Sequence, residues 1–493
     1  MSAPDPAARW RWGLWAAVIV AALLVPLSAA IALLAGAGVL RLGLAVRRRW
    51  RRRRAVGARD GGVVLGRDRA GRPVRCADEQ LAAHALIVGA SGSGKSTTLL
   101  AILADHVRRG RPVVAIDMKG SPGFAAELGR AAAAAGRELR VWTPDGPSFW
   151  NPLAHGNPTA LKDKLISTER FSEPHYQRAA ERYLQLAFTV LAAVEPNRST
   201  DLSELVAVME PPRLARALRR APPELALRVG DYLQSLTPDQ QSAVRGLGTR
   251  LALVSESSAG PYLGRGPADR TVDLAEALRG GDVVLMSVNS SVYGKLGAQL
   301  GALAIQDLTA AAGYRLGGPG RPPPATVAID EFSALGADNV LALLARGREA
   351  GVAVLVATQE LTDLERAGPG FRDQVLGIVG TKLAHRQDVH GSAVMFAQLA
   401  GTERVWEVTR TIRPAFARRG QSLGTRRQVD RLIVHPTEIQ TLAPGEAVVV
   451  VKTPRSQAER VRVAPPATWS GSVRSTATVV RGERAQPAPG VTR

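Results

Sequence analysis

The run GASGSGKST at residues 89–97 sets three glycines, a lysine and several hydroxyls at a spacing that suits polyphosphate chemistry. Gly89, Gly92 and Gly94 let the backbone turn tightly enough for its N–H groups, those of Ser91 and Ser93 among them, to surround phosphate oxygens. The helix expected next adds the positive end of its dipole. Lys95 can then reach the β and γ phosphates, the Ser96 hydroxyl can ligate Mg2+, and Thr97 closes the run. Glycine-rich turns that bind nothing are common, but the full G-x-x-x-x-G-K-S spacing between a strand and a helix is not. Gly89, Ser91, Gly92, Ser93, Gly94, Lys95, Ser96 and Thr97 are therefore read as a nucleoside-triphosphate site, with ATP and Mg2+ as the expected cofactors.

A second group lies far downstream. ATVAIDEFSAL at 325–335 reads as an apolar strand delivering Asp330 and Glu331. Asp330 suits the metal and its water shell, and Glu331 suits polarisation of an attacking water. Alone, a strand ending in Asp-Glu is a weak signal. It gains weight from the P-loop and from a further strand at 352–357 that ends in Thr358 and Gln359, where a polar group would sense the γ-phosphate. This order matches the P-loop division that sets a catalytic glutamate beside the metal aspartate and drives mechanical work. No LSGGQ-like signature precedes Asp330, which argues against an ABC-type ATPase.

These residues need a sheet to hold them. Apolar runs at 85–88, 112–120, 139–142 and 282–288 read as buried strands, the second ending in Asp117 and Lys119, which face the nucleotide or a neighbouring subunit, or else form a solvated turn. A helix is expected at 99–108, another at 295–312, a hairpin at 59–79, a turn at 149–153 and a last strand at 446–452. Between 159 and 257 strand signals vanish and amphipathic helical spacing with Pro-rich joints takes over, predicting an all-helical insertion. The arginine-rich stretch at 410–431 reads as a loop, facing DNA or solvent. The organisation predicted is an anchor at 1–54, a motor at 55–158 and 258–464 interrupted by the insertion at 159–257, and a disordered tail at 465–493.

The chain has 493 residues, 64 of them basic, and a formal net charge of +21. Residues 1–54 hold ten arginines and one aspartate, so the remainder is basic in its own right. That favours a polyanion or an acidic membrane surface as partner. The single cysteine, Cys76, excludes an intramolecular disulfide framework and a multi-cysteine metal site. Residues 13–40 carry no charge; as a helix they span roughly 42 Å against about 30 Å of hydrocarbon. The block RRRWRRRR at 47–54 then marks the cytoplasmic face, with Trp10, Trp12, Trp15 and Trp50 suited to the interfaces. A single tilted or kinked transmembrane helix is preferred to a hairpin broken near Pro26 and Ser28. The expected location is the inner or plasma membrane, with the bulk of the chain cytoplasmic.

HALIVGASGSGKSTTLL, VVAIDMKG, FWNPL, VAIDEFSALG, REAGVAVLVATQEL and GTKLAHR occur in the order of the motif series of the TraG/TraD family of type IV secretion coupling proteins, which they resemble, within the FtsK/HerA group of motor ATPases. The resemblance covers roughly residues 60–465. It implies a RecA-like α/β P-loop motor with an all-α insertion and a transmembrane segment, forming a homo-hexamer that pumps DNA, single-stranded and without sequence preference, toward secretion channel components. A relaxase or relaxosome protein is the implied partner in conjugative DNA transfer. Carried over residue by residue, Lys95 and Ser96 are the phosphate and Mg2+ ligands, Asp330 and Glu331 the metal-holding and catalytic acids, and Gln359 the sensor. Arg386, at the end of the strand-like run 377–385, is the expected arginine acting in trans; Arg346 and Arg348 compete, and a surface salt bridge is the plain alternative. The family more often has two membrane spans with a periplasmic loop. A duplex DNA translocase of the FtsK type and a protein-secretion ATPase fit the same motor.

Overall fold

The computed structural model describes residues 61–465 except 172, 318–321 and 411–423. The chain divides into two units, 1–62 and 63–493, and the second carries the sheet and the helices. Among the described residues no helix is long and apolar enough to cross a membrane. The predicted span and its basic flank lie outside them, as does the tail from 466 onward.

The strands run in chain order as β1 (Gly62–Arg67), β2 (Pro73–Ala77), β3 (Ala85–Val88), β4 (Val113–Asp117), β5 (Leu139–Trp142), β6 (Phe149–Trp150), β7 (Thr271–Val272), β8 (Val283–Ser287), β9 (Ala325–Asp330), β10 (Val352–Thr358), β11 (Thr381–Ala384), β12 (Thr402–Arg410), β13 (Gly424–Leu432), β14 (Glu446–Val451) and β15 (Gln457–Val463). Eleven of them form one sheet in the order β2-β1-β15-β14-β11-β3-β10-β9-β4-β8-β5. From β11 to β5 every pairing is parallel. β14 turns back antiparallel to β11, β15 to β14, and β1 to β15.

Parallel strands covered on both faces read as continuous apolar runs rather than as alternation, and β3, β4, β9 and β10 are buried at every position. The period of two survives in what each side chain touches. Ala85 and Ile87 pack with the helix Lys95–Arg108 through Leu99 and Ile102, while Leu86 and Val88 join the opposite core. Register brings the polar strand ends together: Asp117 lies beside Asp330, Asp330 beside Ala357, and Thr358 beside Val88. The P-loop therefore springs from a strand flanked by the one that ends in Thr358, three places along the sheet from the strand that ends in Asp117.

Residues 158–255 form α-helices at Pro158–Ile166, Pro174–Val194, Leu202–Val208, Pro211–Ala217, Pro223–Gln234 and Pro238–Ser255, with no strand among the described residues. Pro occupies the first turn of five of them, where its missing N–H costs nothing. Tyr183, Leu184, Phe188, Leu205 and Leu247 are buried among them, and the Tyr183 hydroxyl donates to Val208 O at 2.8 Å. A buried polar knot ties this stretch to the long helix Ser290–Leu316. Lys164 Nζ donates to Asp307 Oδ1 at 2.7 Å and Pro152 O at 2.6 Å, and Trp150 Nε1 donates to Asp307 Oδ2 at 3.0 Å.

Four local expectations change. The predicted turn at 149–153 contains β6, which pairs in parallel with β7. The helix predicted at 295–312 starts at Ser290 and carries a non-helical Gly294 (φ 49°, ψ −118°). β14 is followed by another strand, β15, where exposed Glu459 lies on the same face as buried Val461 and Val463 and half-buried Arg460 on the other, which masks the alternation. The arginine-rich loop at 410–431 holds most of β13, paired with β12 from Thr402↔Leu432 to Arg410↔Gly424. Residues 411–423 of that stretch lie outside the described residues; 402–409 and 426–431 are largely exposed, so no hydrophobic alternation announces the ribbon. Trp406 on this ribbon is 55% exposed and lies under the Arg426 guanidinium at 4.4 Å.

Candidate nucleotide site

The P-loop is strapped on three sides. Gly89 N donates to Thr358 O at 3.4 Å, Ala90 N to Arg386 O at 2.9 Å, and Gly445 N to Ser93 O at 2.8 Å. Gly92 (φ 73°) and Gly94 (φ 113°) make the bend, and Gly94 caps the helix Lys95–Arg108. A Cβ at Gly94 would stand 3.0 Å from Gly445 N, in a backbone conformation that L residues rarely adopt. Gly94→Ala should therefore lower stability by about 1–3 kcal/mol. It should also weaken nucleotide binding, as read by denaturant unfolding and equilibrium titration; an unchanged variant would show that the loop repacks freely.

His385 supports the loop from below. Its Nδ1 lies 2.9 Å from the Glu446 carbonyl, which only accepts, so Nδ1–H donates and Nε2 accepts from the Thr98 hydroxyl at 2.8 Å. The ring must be neutral to do both, and burial pushes its pKa down to about 4.

Lys95 is buried, and its ammonium donates to Gly89 O at 2.5 Å and Ala90 O at 3.3 Å. Burial, and then the charge of Lys119, lower its pKa, against the pull of Glu331, Asp330 and Glu360. Ser96 Oγ donates to Asp330 Oδ2 at 3.0 Å. Asp330 is 2% exposed, and its Oδ1 is buried without a hydrogen-bond partner. A hydroxyl and a carboxylate in contact, with one carboxylate oxygen unspent, form a hard oxygen donor set that fits Mg2+ completed by phosphate and water. Among the described residues no cluster of three or more His, Cys, Asp or Glu could hold a metal alone.

Glu331 sits just beyond β9 with φ 58° and ψ 47°, a left-handed conformation that costs a non-glycine residue about 1–3 kcal/mol. Its Oε1 accepts from Lys119 Nζ at 2.6 Å and from Gln359 Nε2 at 3.3 Å. Lys119 also lies 3.6 Å from Asp330 Oδ2. Burial opposes the lysine's charge, yet Asp330 and Glu331 together raise its pKa above the usual range. Asp117 shapes the turn that presents it, accepting from Lys119 N at 2.9 Å and Ser121 N at 2.6 Å. Burial raises the Asp117 pKa, as does its neighbour Asp330, and the two backbone donors hold it back.

Lys95, Ser96, Asp330, Glu331 and Gln359 are thus brought together beside the P-loop. Ser91 and Gly92 are exposed on the loop, Ser93 is buried with an unpartnered hydroxyl, and Thr97 is half-buried on the first helical turn. Arg386 is next to the loop of its own chain, and its guanidinium donates to Asp388 Oδ1 at 3.0 Å. Arg346 and Arg348 are exposed, and Arg348 is close enough for its charge to act on His84, which precedes β3 at the end away from the P-loop. Sequence reasoning missed His385, Gly445 and Glu360. Glu360 accepts from Ser392 Oγ at 3.0 Å, and burial raises its pKa. Only its place beside Gln359 hinted at a role.

Residues 324–444 match the family described as the TraM recognition site of TraD and TraG, and residues 46–115 match the FtsK/SpoIIIE family. No curated protein sequence matches the chain. Its fold is similar to that of the bacterial conjugative coupling protein TrwBdeltaN70 in an unbound form, at 16% identity and TM-score 0.59 over 81% of this chain and 88% of that one. The plasmid coupling protein TrwB in complex with ADP and Mg2+ gives 16% and 0.58 over 81% and 89%. VirB4 of Thermoanaerobacter pseudethanolicus gives 15% and 0.51 over 82% and 97%. At these identities the likeness is one of fold.

Proposed function

We propose that this chain is a coupling protein of the TraG/TraD type, an ATP-hydrolysing motor that drives DNA transfer in conjugation, a reading that the matches at residues 324–444 and 46–115 support. The observation that carries this reading is the register that sets Ser96, Asp330, Glu331 and Gln359 around one phosphate-binding loop. The N–H groups of residues 89–97 and the Lys95 ammonium bind the polyphosphate. Ser96 and Asp330 would hold Mg2+, which when bound would neutralise charge on the phosphate oxygens. Glu331 takes the proton of the attacking water, and Gln359, already hydrogen-bonded to it, couples the glutamate to the γ-phosphate. Arg386 is the arginine assigned to a neighbouring subunit's phosphate, in a homo-hexamer; release from Asp388 is what that role requires of it.

Residues 13–40 anchor the motor in the membrane, with the bulk of the chain on the cytoplasmic side. The helices of the insertion at 159–257 stand apart from the phosphate-contacting residues and serve to choose cargo, a relaxase or relaxosome protein. Channel components of the secretion system receive the DNA.

DNA binding by a basic ring motor releases counterions, so affinity should be nearly independent of sequence and fall by about 10³-fold or more between 50 and 200 mM salt if six or more phosphates are contacted. The test is ATP turnover by the full chain in detergent with single-stranded DNA, duplex DNA or none. Stimulation by single strands is expected. Absence of turnover under all three conditions overturns the proposal. Stimulation by duplex alone selects the FtsK-type reading, which the match at residues 46–115 also favours.

A further inference from the structure

Lys119 touches both carboxylates on which the proposed hydrolysis depends, at 2.6 Å from Glu331 Oε1 and 3.6 Å from Asp330 Oδ2. The contact is built into the backbone. Asp117 accepts from the N–H groups on both sides of the turn, Met118 O accepts from Ser290 N at 2.9 Å, and a Cβ at Gly120 would lie 2.8 Å from that of Asn289. These contacts hold the turn, and the four-carbon side chain that extends from it is 38% exposed. Glu331 is held from the other side by Gln359 and by its own left-handed backbone.

A carboxylate paired with an ammonium is a poor acceptor for a water proton, because taking the proton means giving up the ion pair. An aspartate oxygen facing the same ammonium is partly neutralised toward a second cation. We infer that Lys119 is a positioning residue that gates Glu331: while its ammonium bridges the two acids the glutamate cannot serve as base, and turnover requires the lysine to leave. This inference rests on the ATPase reading of the site.

Lys119→Met and Lys119→Arg in the full chain test it, with ADP affinity measured by titration in Mg2+ and in chelator, and phosphate release measured without DNA. The Met variant should bind ADP about two- to fivefold tighter in Mg2+, the scale of a half-exposed ion pair, with chelator affinity unchanged. DNA-independent turnover should rise by a similar factor. The Arg variant keeps a cation and should stay near wild type. Weaker ADP binding with and without Mg2+ would make Lys119 a phosphate ligand and overturn the gate. No change in either readout would reduce the contact to an ordinary ion pair. If Lys119→Met does not fold, Lys119→Gln carries the same readouts. A wild-type chain that neither binds nor hydrolyses ATP would sink the functional reading itself, whereas an active wild type with an indistinguishable Met variant sinks only the gate.

Discussion

Glu331→Gln should bind ATP about as well as the unaltered chain and hydrolyse it slower by about 10²–10⁴-fold, the usual contribution of a positioned general base. The amide preserves the length of the side chain, and its carbonyl can still accept the Gln359 N–H that now ends on Oε1. It cannot accept a proton from water. Lys95, Ser96 and Asp330, to which the proposal assigns the phosphate and cation contacts, are untouched by the change. Equilibrium binding of a fluorescent ATP analogue alongside phosphate release under saturating ATP separates the two effects. Near-normal turnover would remove Glu331 from the role of base.

Lys95→Ala should act one step earlier, weakening nucleotide binding by about 10–100-fold, since a hydrogen bond to a charged group contributes about 1.5–3 kcal/mol and is lost here without replacement. The ammonium is held over the loop by Gly89 O and Ala90 O, so it meets phosphate already oriented. Removing it also frees those carbonyls toward an incoming polyanion, which they repel. A melting curve identical to wild type with ATP affinity intact would contradict the assignment. A loss of binding that parallels a loss of fold would instead show the lysine to be structural.

The sheet was legible where burial is complete on both faces. β3, β4, β9 and β10 appear in the sequence as unbroken runs dominated by Val, Ile, Leu and Ala, the pattern of parallel strands covered on both sides. The loop chemistry was legible because phosphate binding needs glycines and a lysine close together along the chain. What stayed hidden is what distant segments supply. His385 reaches Thr98 across 287 positions, and Gly445 closes on Ser93 through a backbone contact that leaves no side-chain trace. The ribbon of β12 and β13 escaped for the opposite reason: with Arg404, Trp406, Val408, Arg426 and Arg427 all exposed, neither face carries the pattern that burial imposes. Lys119 was visible as a polar strand end, but whether it faced solvent or the acids depended on the register of β4 against β9.

The helix Ser290–Leu316 joins two places that the sheet keeps apart. Its first residue is hydrogen-bonded to Met118, next to Lys119, and Asp307 within it grips Lys164 and Trp150. The helical backbone breaks at Gly294, one turn from the start, and Asp307 lies about 20 Å further along the axis at 1.5 Å per residue. Mechanically this is a stiff rod with a joint near its Met118 end and a bolt at Asp307. Displacement of the Met118 turn would reach the helical segment 158–255 as a tilt of one rigid body, without distorting a single strand.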